Sequence, residues 1–585
     1  MSPDGPGVSV PPRRLVAAAR ELRRLGRDAE LVALCQAADA ASIADPLLHL
    51  ELGMALFRLG RQREALHALF EALRRDPGCA AAYAHLGNVL QVLRMPEEAR
   101  ESFRTALALG RAPVEMAAAI VFTSLEAASW GELEGDLAAL EAAVAAGKGQ
   151  PLPFFSLNLP WPRDRLLAAA RAQAAATFAG IVPLPPAPAR RPGAPIRIGY
   201  VSNDLQDHAT AHLITELFER QDRERFVPHA YSYGAADGSA MRRRIAAAFG
   251  ARFVDVGEMD AGRLAQRVRA DAIDVLVDLK GYTLLARNEV FAWRPAPIQV
   301  NFLGFPGTLG SVHYDYIIGD AVVTPLAHAA GYDEKIAQLP HCYQPNDRQR
   351  PMGAAMDRGA LGLPAAALVL CCFNANYKIT PLLFDLWCRL LRQVDDAVLW
   401  LYADNPRTRG NLAAEAARRG IDPRRLFWAG KLPQAEHLAR LGAADLFLDT
   451  LPVNAHTTAS DALWAGVPLV TMLGETFAAR VAASLLSAAG LPELIAADLQ
   501  QYEALALDLA RDRRRLAALR ARLAGERLRR PLFDSRAYTR DFEALIERMV
   551  ARHDAGLHPA HLPAAPPTTR AQAGPDLALP AHVAG

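Results

Sequence analysis

The rhythm of hydrophobic positions changes twice along this chain. Up to about residue 148, Leu and Ala recur at helical spacing, and the recurrence itself repeats every 34 residues. Leu25-Gly26-Arg27 returns as Leu59-Gly60-Arg61, Leu52-Gly53 as Leu86-Gly87, Glu64-Ala65 as Glu98-Ala99 and Ala72-Leu73 as Ala106-Leu107, while Leu22, Leu56 and Leu90 form one series. Thirty-four residues is the tetratricopeptide (TPR) period, in which small residues at fixed places let paired helices approach closely. About three repeats fit within residues 12–112, and 113–148 read as further helices of the same arm. An ordinary Ala-rich bundle is the alternative, but it does not explain four separate pairs sharing one register.

Residues 149–195 break the pattern. PLPFFSLNLPWPR (151–163) is Pro-rich and aromatic, a helix is expected over 164–179, and PLPPAPARRPGAP (183–195) reads as a linker. From residue 196 short, continuous apolar runs alternate with helical segments. Strands are expected at 196–202, 226–233, 253–256, 273–279, 297–303 and 314–319, and again at 368–373, 397–402, 425–429, 445–449 and 468–472. Runs apolar on both faces, separated by helices, indicate buried parallel sheets. Two such sets predict two Rossmann-like, doubly wound lobes at 196–345 and 361–550, with an Ala/Pro-rich, unfolded tail over 556–585. Ligands of such lobes bind at the carboxyl ends of the strands.

Charge and cysteine content narrow the function. Sixty-five Lys and Arg against 63 Asp and Glu argue against a general nucleic-acid binder, which carries a basic face. The six cysteines show no CxxC and no metal-ligand spacing, and adjacent Cys371 and Cys372 read as strand core, which fits a reducing compartment. The N-terminus lacks the apolar stretch of a signal peptide, and no run of about 18 apolar residues occurs. A cytoplasmic protein without a membrane span is therefore expected.

Five segments could carry chemistry, all at carboxyl ends of expected strands. Asn454-Ala455-His456-Thr457-Thr458-Ala459-Ser460-Asp461 is a strand–loop–helix junction whose free amides and hydroxyls suit a diphosphate, with Asp461 one turn in, placed for ribose hydroxyls. Thr457 or Ser460 acting as a simple helix cap is the plainer reading. Lys378, in Phe373-Asn374-Ala375-Asn376-Tyr377-Lys378, could neutralise phosphate charge from the neighbouring strand end. His208 lies in the loop after the first strand and could accept a proton or orient a sugar, whereas His212 begins a helix and reads as structural. Gly281-Tyr282-Thr283 and Leu303-Gly304-Phe305-Pro306-Gly307-Thr308 follow two further strands, where glycine allows close backbone approach. The chain has no Asp-x-Asp, Walker A or GxSxG motif. Charge on a leaving diphosphate must then be met without a motif-bound metal.

The runs RIGYVSNDLQDHATAHL, GYTLLARNEVFAWRPAPIQVNFLGFPGT, FNANYKI and NAHTTASDALWAGVPLVTMLGETFAARVAAS, in this order behind a short repeat arm, resemble the protein O-linked N-acetylglucosamine transferase family, glycosyltransferase family 41. The resemblance implies a GT-B fold, a UDP-sugar co-substrate, no metal or other cofactor, inversion at the anomeric carbon, and transfer to Ser/Thr of a protein acceptor held along the repeat arm and cleft. It implies that His208 is the active-site histidine, as base or sugar-positioning group, and that Lys378 lies on the diphosphate. His456, Thr457 and Thr458 match the family's phosphate-binding His-Thr-Thr, and Asp461 its ribose-binding aspartate. His437 matches a histidine stacked on uracil and Arg440 an arginine beside it, while Thr283, Leu303 and Pro306 match the sugar pocket. Ala375, Val453 and Gln434 stand where eukaryotic members carry glutamine, cysteine and lysine, and the large insertion of animal enzymes near 345–360 is missing. These departures bear on the identity of the sugar more than on UDP. A protein N-glucosyltransferase acting on Asn and a non-catalytic repeat adaptor are the competing classes; the repeat arm weighs against the first, and the joint presence of His208, Lys378, His456 and Asp461 against the second.

Overall fold

The computed structural model describes residues 12–24, 26–37 and 45–566. The expectations for the N-terminal leader, for Leu25 and for 567–585 lie outside these described residues. The chain divides into two compact units, one of Met1–Pro151 with Glu258–Ala261 and one of Leu152–Gly257 with Gly262–Gly585.

In the first unit, eight helices among the described residues run from Pro12–Arg24 to Leu133–Ala145. The 34-residue register has a steric cause. A Cβ on Gly53 would lie 2.8 Å from Leu69 Cγ, and one on Gly87 would lie 2.4 Å from the Phe103 ring. Both glycines and both partners are one repeat apart, so each glycine admits the large side chain of its paired helix.

The second unit holds the two parallel sheets expected of the chain. The first comprises β1 (Ile196–Ser202), β2 (Phe226–Ser232), β3 (Phe253–Asp255), β4 (Val275–Asp278), β5 (Ile298–Asn301), β6 (Tyr316–Asp320) and β7 (Lys335–Leu339), in the order β3-β2-β1-β4-β5-β6-β7. The second comprises β8 (Leu368–Cys372), β9 (Ala397–Tyr402), β10 (Leu426–Ala429), β11 (Leu446–Leu448), β12 (Leu469–Met472) and β13 (Ile495–Ala496), ordered β10-β9-β8-β11-β12-β13. Central strands are buried on both faces: Cys371 and Cys372 are each 0% exposed, so this pair is strand core. Strand order reverses between β1 and β4 and between β8 and β11, which opens a crevice at the strand ends in each sheet.

Two features depart from the sequence reading. The helix Ser535–Asp554, expected largely within the second lobe, packs on the first: Phe542 meets Phe302 with ring centroids 5.5 Å apart, and Glu543 accepts from Asp222 N at 2.7 Å. The first part of the expected unfolded tail, residues 556–566, is instead placed against the first lobe. Gln338 N donates to Leu562 O at 2.9 Å and Ile336 N to His561 Nδ1 at 3.0 Å, so this stretch lies along β7.

The lobes are joined by buried polar contacts. Ser484 Oγ of the second donates to Asp320 Oδ2 of the first at 2.6 Å, Arg480 Nε reaches Val322 O at 2.5 Å, and the helices Ala209–Arg220 and Thr457–Trp464 touch.

Candidate functional site

Each expected site residue of the second lobe stands at the β8/β11 reversal or beside it. Lys378 ends a short turn after β8 and donates to Asn454 O at 2.8 Å, on the loop leading into the helix Thr457–Trp464. Thr458 Oγ1 hydrogen-bonds Asn374 Oδ1, and His456 is the residue before the helix, its Nε2 3.3 Å from Ala478 O. A cationic amine and a helix N-terminus thus converge. Burial and the neighbouring Lys378 push the His456 imidazole down to about 3, so it is neutral and adds hydrogen-bonding capacity without charge. Burial also lowers the Lys378 amine, opposed by Asp449.

Asp449, unflagged by the sequence reading, holds this loop in shape. It is 1% exposed. Its Oδ1 accepts from Thr450 N at 2.7 Å and Ala455 N at 2.6 Å, and its Oδ2 from Thr471 Oγ1 at 2.6 Å. Burial raises its carboxyl, and hydrogen bonds and Lys378 pull it back.

Around the corner, the helix Gln434–Leu441 presents His437 and Arg440. Arg440 Nη2 approaches His437 Nδ1 at 3.2 Å and can only donate, so neutral His437 carries its proton on Nε2, 3.8 Å from Asp461 Oδ2. The His437 ring lies 5.9 Å from the Phe373 ring. Asp461 is buried, its Oδ1 held at 2.9 Å by Arg350, another residue not singled out by sequence. Arg350 is anchored in turn by Asn346 Oδ1 at 2.6 Å and lies over the Trp464 ring at 5.3 Å.

In the first lobe, Thr283 follows β4, and Leu303 and Pro306 follow β5. The two loops interlock. A Cβ on Gly304 would lie 2.1 Å from Leu279 O, so only glycine fits there. Leu303 itself takes φ of 70°, a left-handed conformation uncommon for a branched side chain. Glu334, buried beneath, accepts from Thr308 Oγ1 at 2.5 Å and Leu309 N at 2.7 Å. The loop carrying Leu303 and Pro306 therefore rests on a carboxylate that the sequence did not advertise.

His208 precedes the helix Ala209–Arg220 after β1, and its Nδ1 accepts from Thr210 N at 3.2 Å. The neutral ring therefore carries its proton on Nε2, as a donor. Burial lowers its imidazole, with Asp204 opposing and Lys280 reinforcing the shift. His212 pairs with Asp207 at 2.7 Å, in keeping with a structural part. Among the described residues no cluster of His, Cys, Asp or Glu is arranged to hold a metal ion, and no helix is long and apolar enough to cross a membrane.

Two doubly wound lobes, with an amine and a helix start converging at one strand-order reversal and a histidine at the other, define a GT-B fold. The chain belongs to glycosyl transferase family 41, whose pattern it matches over residues 186–358 and 354–542. It is similar to the probable UDP-N-acetylglucosamine–peptide N-acetylglucosaminyltransferase SEC of Arabidopsis thaliana, 38% identical over 373 residues, covering 63% of this chain and 38% of that one. It is also similar to the UDP-N-acetylglucosamine–peptide N-acetylglucosaminyltransferase of Caenorhabditis elegans, 30% identical over 483 residues, 63% of this chain and 42% of that one. The chain thus spans about two fifths of the length of these curated relatives. A solved mutant of the Thermobaculum terrenum O-GlcNAc transferase superposes with a TM-score of 0.70 at 28% identity, covering 93% of this chain and 98% of the other.

Proposed function

We propose that this protein transfers N-acetylglucosamine from UDP-GlcNAc to Ser/Thr hydroxyls of protein acceptors, with inversion and without a metal. The observation that carries this reading is the convergence of Lys378, the 456–458 helix start, His437 and Asp461 at one strand-order reversal. The activities named for the Arabidopsis and Caenorhabditis relatives support the donor and the acceptor class.

In this reading the diphosphate lies on Lys378 and the amides and hydroxyls of 456–458, the ribose beside Asp461, and the uracil against His437 and Arg440. The sugar points toward His208, Thr283, Leu303 and Pro306. The acceptor oxygen attacks the anomeric carbon opposite the diphosphate. The C1–O bond to UDP breaks, and its electron pair passes to the β-phosphate. Lys378 and the helix amides meet that growing charge, each such donor contributing about 3 kcal/mol. Because His208 presents Nε2–H, it acts as a hydrogen-bond donor to the sugar or acceptor. The acceptor's proton then leaves to a diphosphate oxygen or to water. The repeat arm offers the acceptor protein an extended surface, and the cytoplasm is the proposed location.

The test is a donor screen read by UDP release, with cell lysate as acceptor and mass spectrometry of the modified residue. UDP-GlcNAc-dependent labelling of Ser or Thr is expected. Labelling of Asn from UDP-glucose, or no turnover with any UDP-sugar, would overturn the reading.

A further inference from the structure

Beside His208 lies an ion pair that the mechanism above does not use. Lys280, in the turn after β4, places Nζ 2.7 Å from Asp204 Oδ1 and 3.0 Å from Oδ2. Both partners are nearly inaccessible, Lys280 at 6% and Asp204 at 3% exposure. Asp204 Oδ2 is also 3.6 Å from His208 Nδ1. That nitrogen already accepts from Thr210 N. The carboxylate and the helix amide therefore make opposite demands on one atom. Asp204 would hold a proton on Nδ1, while the Thr210 amide requires Nδ1 bare.

We propose that Lys280 is a positioning residue for His208: by occupying both oxygens of Asp204, it leaves Nδ1 to the Thr210 amide and keeps Nε2–H aimed at the substrate. This rests on the reading of His208 as a substrate-facing donor. A buried charge pair needs a reason, since its desolvation commonly cancels its attraction. Here the reason is local neutrality next to an imidazole that must stay uncharged. Four ionisable groups act electrostatically on the ring: Asp204, Lys280, Asp207 and His212. Asp207 and His212 are paired with each other, so the balance is set by Asp204 and Lys280. The burial that depresses the His208 imidazole acts in the same direction as Lys280. If the ring is charged, Nδ1–H faces the Thr210 N–H and the helix cap is lost.

The two single substitutions have opposite signs. In Lys280→Met the uncompensated carboxylate draws a proton onto His208. In Asp204→Asn the uncompensated ammonium repels one. The double variant Asp204→Asn/Lys280→Met restores neutrality. The ring's ionisation is read directly, in the full chain, from the pH dependence of diethylpyrocarbonate modification at His208, quantified by peptide mass spectrometry. The reagent attacks the neutral imidazole, and the side chain is half-exposed. The midpoint should rise by about one to two pH units in Lys280→Met, fall in Asp204→Asn, and return to near wild type in the double variant. The acid limb of kcat/KM for UDP-GlcNAc should move with it. UDP binding by calorimetry reports on folding; should Lys280→Met fail to fold, Asp204→Asn and the double variant carry the test. Midpoints unchanged in Asp204→Asn, or displaced in the double variant, overturn the proposal. Variant midpoints that behave as stated, together with a wild-type protein that releases UDP from no donor, overturn the functional reading instead.

Discussion

Replacing Lys378 by Met keeps most of the side chain's volume and removes its charge. The amine now sits 2.8 Å from Asn454 O, at the mouth of the helix Thr457–Trp464. Breaking the C1–O bond adds nearly one negative charge to the β-phosphate. An ammonium about 3.5 Å away would meet that charge with about 5 kcal/mol at an effective dielectric near 20. Donors of this type, when deleted, cost about 3–4 kcal/mol, because water and neighbours compensate in part. We expect kcat to fall by about 10²–10³-fold, with KM changing less, since most of the charge develops after binding. A second consequence concerns stability. Asp449, already raised by burial, loses the cation that pulls it back. A carboxyl whose folded value is raised binds its proton more readily folded than unfolded, so it loses stability as pH rises from the unfolded value through the folded one. The melting-temperature deficit of Lys378→Met should therefore be small at acid pH and grow as pH rises. The assays are steady-state UDP release and thermal melts at acid, neutral and mildly alkaline pH. A kcat within about threefold of wild type, with UDP still bound, would refute the placement of the diphosphate.

Three other perturbations reach different parts of the molecule. Glu334→Gln removes the carboxylate beneath the 303–309 loop, so KM for the UDP-sugar should rise about tenfold while UDP itself binds as before, by calorimetry; equal losses for both ligands would contradict the loop's link to the sugar. Gly87→Leu would drive a side chain into the Phe103 ring and should destabilise the repeat arm by about 1–3 kcal/mol, visible in the arm's own thermal transition with UDP binding intact. Glu543, raised to about 7 by burial, carries a cost that appears as pH climbs from its ordinary carboxyl range to about 7. Glu543→Gln should thus stabilise the protein above pH 7 by on the order of 1 kcal/mol, read as a higher melting temperature, and flatten the pH dependence below that, whereas a parallel shift at every pH would disprove the linkage.

The sheet frame was readable because buried parallel strands are apolar on both faces, as LVLCC of β8 shows. β7 (KIAQL) and the two-residue β13 escaped notice because a polar run and a very short one carry no such signature. Site residues were legible for a related reason: His208, Lys378 and His456 are polar residues in the loops that follow apolar runs. Their supports were not. Asp204, Lys280, Glu334, Arg350 and Asp449 each hold at least one partner more than 20 positions away, from Asp449 and Thr471 at 22 to Arg350 and Asp461 at 111, and no local pattern encodes such pairing. One signal was available for Asp449, a lone carboxylate closing the run LFLD. Ser535–Asp554 was misplaced for the opposite reason: continuity along the chain suggested the neighbouring lobe, while its apolar stripe, with Phe542, finds the distant one.

That helix makes the first lobe discontinuous in primary structure. A fragment cut anywhere between residues 345 and 535 would leave Phe302 uncovered and the Asp222 amide without its carboxylate. The two halves of the catalytic unit cannot be produced as consecutive pieces, and any permuted or split version must carry 535–554 alongside 196–345. The peptide also crosses between the halves twice, so two covalent tethers limit how far they can part when a donor enters.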